Sequence, residues 1–158
     1  TPLQIANLAA TIANRGHFYV PHIVHSVQGE RLDTTYTNMR RTKVDRHYYN
    51  YAVAGMRRAV EQGTCRGADF PGVQVCGKTG TAQNRGHDHS AFMGFAPMNN
   101  PQIAVCVYVE NGGFGADFAV PLGSLIMEQF VNGKLSPASE AKANTFQHRH
   151  ISYGKQAR

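Results

Sequence analysis

Gly77-Lys78-Thr79-Gly80-Thr81-Ala82-Gln83 follows the alternating Val73-Gln74-Val75-Cys76, and a polar loop then leads to the apolar Ala91-Phe92-Met93-Gly94-Phe95. This spacing predicts one arm of a β-hairpin and puts Lys78 on a strand. Small residues at Gly77, Gly80 and Ala82 let a second backbone approach, while Thr79 and Thr81 add hydroxyl donors near the ammonium. An edge so equipped suits a peptide carboxylate. Lys78 taken by itself reads first as a solvated cation that guards an edge strand against aggregation.

Outward from that stretch, the strand candidates are 73–83, 90–96 and 102–110, and their short links favour antiparallel pairing in chain order. The last, Ile103-Ala104-Val105-Cys106-Val107-Tyr108-Val109, is nearly all apolar and is expected to be central and covered on both faces. The chain opens on Thr1-Pro2-Leu3-Gln4, a capping box with proline at the first helical position, and Ile5, Leu8, Ala9 and Ile12 follow at helical spacing. A start on a helix cap without a lead-in reads as a piece of a longer protein.

Residues 17–27 read as an irregular strand broken by Pro21, and 28–44 as a polar surface excursion. A second helix runs from an Asp45 cap through Tyr48, Tyr51, Ala52, Met56, Ala59 and Val60 to Gly63, its aromatics expected in the core. After the glycine turn 111–115, Pro121 is expected to start a third helix with Leu122, Leu125, Ile126 and Phe130 as its buried stripe. Lys134 to Arg158 lacks a sustained apolar period and reads as a mobile tail, so the folded body is expected over residues 1–133 and the tail over 134–158.

The 158 residues suffice for one body that buries about two thirds of its unfolded surface. With 42% hydrophobic and 16% charged residues, disorder is not expected outside the ends. The formal charge of +6 comes from scattered basic residues without an aromatic-interleaved basic motif, so nucleic acid is not an expected partner. Cys65, Cys76 and Cys106 have neither CxxC nor metal-ligand spacing and read as buried thiols. His87 and His89 lack a third nearby ligand, so no metal and no cofactor are expected.

Gly72 to Thr79 fits G-x-x-x-x-G-K-[ST], but a phosphate loop needs a strand before it and a helix beginning at its lysine. Here the supposed loop alternates like a strand, and Gly80-Thr81 follow. Ser139-Glu140-Ala141-Lys142 and Ser152-Tyr153-Gly154-Lys155 mimic a serine nucleophile motif. Both lie in the expected tail, where no helix would hold a base beside the serine, and they read as chance matches.

Lys78-Thr79-Gly80 matches the K-T-G element of serine acyl-transfer enzymes, which accompanies S-x-x-K. Flanking segments make the match specific: Thr1 to Ala6 with Ala13-Asn14-Arg15-Gly16, Gly55 to Val60 with Gly63-Thr64, Phe92 to Pro97, and Val109-Glu110-Asn111-Gly112-Gly113. Over residues 1–133 the chain resembles the C-terminal portion of the transpeptidase domain of class B penicillin-binding proteins, most of all the penicillin-binding protein 2 type. The resemblance implies an α+β fold holding the last three strands of a five-stranded antiparallel sheet, with the S-x-x-K and S-x-N motifs upstream of this chain.

The resemblance further implies a parent peptidoglycan D,D-transpeptidase that acylates itself on D-alanyl-D-alanine stem peptides or on β-lactams. Lys78 and Thr81 are then the catalytic residues of this chain, with the Thr81 amide an oxyanion donor, and Thr79, Gly80 and Thr81 bind substrate. Its partners would be elongation or division proteins, and its place the outer face of the inner membrane, held by a helix outside this chain. Without the serine the chain is expected to be inactive, and the unpaired sheet edge to favour self-association. The alternative is a non-catalytic module of the same fold that binds peptidoglycan or a protein partner.

Overall fold

The computed structural model describes residues 1–151. Strands β3 (Cys76–Ala82), β4 (His89–Ala96) and β5 (Ile103–Val109) pair antiparallel in the order β3-β4-β5, with Thr79 opposite Phe92 and Phe92 opposite Val107. Helices α1 (Pro2–Ala13) and α3 (Arg46–Glu61) cover one face of this meander, and α4 (Ala119–Asn132) covers the other. Between α1 and α3, a two-stranded ribbon of β1 (His17–Phe18) and β2 (Arg40–Arg41) closes an exposed excursion holding the single turn α2 (Thr34–Thr37). The α+β class and the antiparallel order agree with the sequence expectation.

Strand alternation sorts the core into two halves. Cys76 and Phe95, with Met93 and Ala104 half-buried beside them, pack on Ala13, Val53 and Met56 of α1 and α3. Val75, Phe92, Ala96 and Val105 pack with Val60, Cys65, Ala68, Phe70, Val120 and Met127. Phe92 is 1% exposed, and the Cβ positions of Gly77, Gly94 and Gly123 would each lie 2.5–2.6 Å from its ring. Three glycines from β3, β4 and α4 therefore form a cradle that no side chain can enter while the ring stays.

That cradle corrects the expected stripe of α4. Leu125 is buried as expected, but the helix turns Val120, Gly123 and Met127 to the sheet and leaves Ile126 49% and Phe130 60% exposed. The helix also begins at Ala119, two residues before the expected Pro121. A helix that must approach an aromatic ring closely presents its small residues, so the larger apolar ones point elsewhere. The same applies to α3, where Val53, Met56 and Val60 are buried and Tyr48 and Tyr51 are not. The tyrosines expected in the core sit off the stripe set by i, i+3 and i+7. Strand β5 is covered by α1 and α4, but it is an edge of its sheet among the described residues and not the central strand expected from its composition.

The segment read as a tail also differs. Pro137–Gln147 forms α5, with Ser136 as N-cap and proline in the first turn. Ser139 of the first mimic lies on this helix, buried, and its hydroxyl donates to Glu128 Oε2; the Ser136 amide donates to Glu128 Oε1 at 3.0 Å. Burial works against the Glu128 charge, yet the hydrogen bonds from Ser139 and Ser136, aided by Lys142, hold its carboxyl below the usual 4.5. The second mimic, at Ser152, lies outside the described residues.

Two outcomes follow from these contacts. Gly123→Ala should destabilise the chain by about 1–3 kcal/mol through overpacking against Phe92. Gly55→Ala, on an exposed face of α3 with nothing within 4 Å of the new Cβ, should stabilise it by up to about 1 kcal/mol. Urea denaturation of both variants checks the opposite signs. A depressed native carboxyl contributes fully above the unfolded value and is lost as pH falls through the native one. Protection of the α5 amides relative to their intrinsic exchange rate should therefore be high at neutral pH and fall as pH drops below 4.5. Glu128→Ala should reproduce that loosening at pH 7, costing roughly 1–3 kcal/mol for the donors left unpaired.

Candidate active site

Strand β3 is the other edge of the sheet among the described residues, and its exposure rises from buried Gly77 to exposed Lys78 and Thr81, with Thr79 and Gly80 half-buried. Lys78 and Gly80 face the α3 side with Cys76, whereas Thr79 and Thr81 face the α4 side with Gly77. The ammonium and the hydroxyls thus flank one strand from opposite faces. Lys78 Nζ donates to the carbonyl of Thr79 at 2.7 Å. The lysine of the G-x-x-x-x-G-K-[ST] match lies within a continuous strand from Cys76 to Ala82, so no helix begins there as a phosphate loop requires.

The loop from β5 to α4 lies over this strand. A Cβ on Gly115 would come 2.9 Å from the Gly80 carbonyl oxygen, 3.0 Å from Thr79 Cβ and 2.6 Å from the Ala91 carbonyl oxygen. Only a glycine lets the loop rest there. Both ends of its span are fastened by one buried hydroxyl: Ser90 Oγ donates to the Phe114 carbonyl at 2.8 Å and accepts the Ala119 amide at 3.0 Å. Ser90 thereby caps α4, whose own N-cap residue Phe118 supplies no side-chain bond. The loop entrance is tied by the Asn111 amide to His89 Nδ1 at 2.9 Å and by the Gly113 amide to the Asp88 carbonyl at 2.8 Å. His89 and Asp88 therefore have structural duties in the loop.

A second segment reaches the strand from α3. Thr64 Oγ1 lies 2.7 Å from Thr79 Oγ1, and Cys65 behind it has no solvent exposure, which pushes its thiol up. Arg57 ties α3 to the approach of β3 by donating to the Val75 carbonyl at 2.9 Å while pairing with Glu61 at 2.9 Å and Asp69 at 3.3 Å. Thr64, Ser90 and Gly115 were missed as site residues by the sequence reading. Each depends on a contact between segments far apart in the chain, and only the small size of Gly115 and the Gly63-Thr64 pair left any signal.

Chemically, the edge offers a free strand, two hydroxyls on one side, a cation on the other and a close-packed glycine cover. That set can hold an extended peptide with a carboxylate end. No serine among the described residues is paired with a lysine along this strand: Ser90 and Ser139 are buried and occupied by the bonds described.

The family model of the penicillin binding protein transpeptidase domain matches residues 1–128. Peptidoglycan D,D-transpeptidase MrdA of Acinetobacter baumannii is 35% identical over 139 residues, 75% of this chain and 20% of that protein. Peptidoglycan D,D-transpeptidase PbpA of Mycolicibacterium smegmatis is 38% identical over 138 residues, 78% of this chain and 28% of that protein. Among solved structures, Pseudomonas aeruginosa PBP2 in complex with WCK 5153 matches with a TM-score of 0.72 at 36% identity, covering 87% of this chain and 31% of that one. A ceftriaxone acyl-enzyme complex of penicillin-binding protein A from M. tuberculosis matches at 0.73 and 34%, covering 83% and 32%. The chain thus spans at most about a third of these relatives.

Proposed function

The chain belongs to the family of penicillin-binding protein transpeptidase domains, and we propose that it supplies the substrate-holding edge of a peptidoglycan D,D-transpeptidase. Within the family its relatives are of the class B, penicillin-binding protein 2-like kind. The observation that carries the proposal is the open edge of β3, with Lys78, Thr79, Gly80 and Thr81 accessible along it. A stem peptide ending in D-alanyl-D-alanine, or a β-lactam in its place, lies antiparallel to β3 and borrows its main-chain groups. The hydroxyls of Thr79 and Thr81 hold the terminal carboxylate and the Lys78 charge complements it.

The amide of Thr81 serves as one of two donors to the oxyanion, the other coming from the nucleophilic serine of the parent protein. One such donor is worth about 2.7–4 kcal/mol in the transition state. Gly80 keeps the strand narrow where the substrate backbone passes. The nucleophilic serine attacks the carbonyl of the penultimate D-alanine, and the terminal D-alanine leaves as its amine is protonated. The acyl group then passes from the serine to an amine of a neighbouring strand of peptidoglycan, which frees the serine again. For the parent protein this chemistry belongs outside the bacterial cytoplasmic membrane, in company with elongation or division proteins. Among the described residues no helix is long and apolar enough to cross a membrane.

The isolated chain holds the rail without the nucleophile. Its one described Ser-x-x-Lys run has the serine buried on Glu128, and no Ser-x-Asn occurs in the sequence. After incubation with a β-lactam, intact-mass spectrometry should find the unmodified mass, and an added antibiotic mass on a serine would sink the proposal.

The outer edge of β5 supports a second expectation, since it has no partner strand among the described residues and lies beside exposed Ile126 and Phe130. An unpaired apolar edge associates or destabilises. Light scattering should show self-association, or calorimetry a low melting temperature. A monomer with a high melting temperature would count against it.

A further inference from the structure

We infer that Thr64 is a positioning residue for Thr79, the two hydroxyls acting as one hydrogen-bonding relay toward the carboxylate of a peptide or β-lactam. The inference rests on the proposed role of β3 as the substrate rail. Thr64 Oγ1 and Thr79 Oγ1 are 2.7 Å apart, the favoured separation for one hydroxyl donating to another. Thr64 is exposed and Thr79 half-buried, so the pair sits at the surface of the rail where a ligand end can reach it.

Exposure alone would make such a pair weak, because an unrestrained threonine on a loop rotates freely. The backbone around Thr64 is restrained on both sides. The amides of Gly63 and Cys65 both donate to the Ala59 carbonyl, at 3.1 and 3.0 Å. A Cβ on Gly63 would lie 2.9 Å from Ala59 Cα, so the chain turns off α3 more tightly than any side chain allows. Cys65 is fully buried in the core with Val60, Ala68 and Phe70. A single exposed residue is thus clamped between a glycine on the helix backbone and a cysteine in the core.

Proton accounting gives the pair its direction. Each hydroxyl has one proton to donate and lone pairs to accept. Without a ligand either can be the donor. A carboxylate only accepts, so Thr79 must turn its proton to the ligand, and its oxygen becomes an acceptor for Thr64. The relay then runs from Thr64 to Thr79 to the carboxylate, each donation strengthening the next. A carboxamide end brings donors of its own and does not impose this order. Thr64 therefore contributes to carboxylate preference without touching the ligand.

A purely structural tie between α3 and β3 would weaken every ligand alike. The distinguishing experiment titrates the chain with N-acetylated D-alanyl-D-alanine and with its C-terminal carboxamide, following the amide resonances of Thr79, Gly80 and Thr81. Thr64→Val should weaken the carboxylate ligand about three- to tenfold and leave the carboxamide unchanged. Thr64→Ser should restore binding to within about twofold, and the effect of Thr64→Val should vanish in a Thr79→Val background. If Thr64→Val does not fold, Thr64→Ala takes its place in the same series.

Equal weakening of both ligands by Thr64→Val, or no weakening at all, would overturn the role of Thr64 while leaving the rail intact. Failure of the unsubstituted chain to bind the carboxylate ligand along β3 would overturn the rail itself and the relay with it.

Discussion

The aromatic ring of Phe92, pressed against the glycines of three elements, sets the distances on which the remainder of this structure depends. Gly94 makes room for the ring on its own strand β4, Gly77 lets β3 lie beside it, and Gly123 brings α4 to it from the facing layer. Once α4 is fixed at that height, its first amide meets Ser90, and Ser90 fixes the loop before the helix. The loop in turn carries Gly115 onto Thr79 and Gly80. A chain of close contacts therefore runs from a core ring to the surface of the edge strand. Close-packed interiors transmit displacements in this way because voids are not available to absorb them.

The two edges of the sheet are treated differently. Along β3 the side chains are small, polar or charged, and Lys78 folds back on a carbonyl of its own strand. Along β5 they are apolar, and the adjoining surface of α4 continues with Ile126 and Phe130. A charged, narrow edge resists indiscriminate pairing, while an apolar edge asks to be covered. The asymmetry accords with the partial span of the chain within its relatives. It leaves the β3 edge open whatever covers the opposite one.

Much of this was legible in the sequence, and the failures share a cause. The three strands, their order and the starts of α1 and α3 follow from alternation and from caps at Thr1 and Asp45. The family was legible because the segments flanking Lys78 to Thr81 match a known pattern, and alternation placed those residues on a strand. Hydrophobic periodicity placed Met56, Val60 and Leu125 correctly in the core but misjudged Tyr48, Tyr51, Ile126 and Phe130, since it weights them by size. Contact with a glycine-lined ring instead selects Gly123. The helix α5 escaped notice because it is held by one carboxylate, Glu128, and not by an apolar stripe, although Ser136-Pro137 was a readable start. Thr64, Ser90 and Gly115 act across separations of 15, 24 and 35 residues, where the spacing of types carries no signal.

The meander joins β3 to β4 through a short loop, and β4 to β5 through another, so that every strand partner is a sequence neighbour. Closing such loops costs little chain entropy, and sheets of this kind belong to the quickly forming end of β topologies. The hairpin that carries Lys78 to Thr81 needs nothing beyond Ala96 for its ladder of hydrogen bonds. In the order of biosynthesis, every residue of the β3–β4 ladder is thus present before β5 and α4 are made. Their arrival adds the cover, the Gly115 contact on Thr79 and Gly80 among it, so the surroundings of the edge strand are completed by residues made after it.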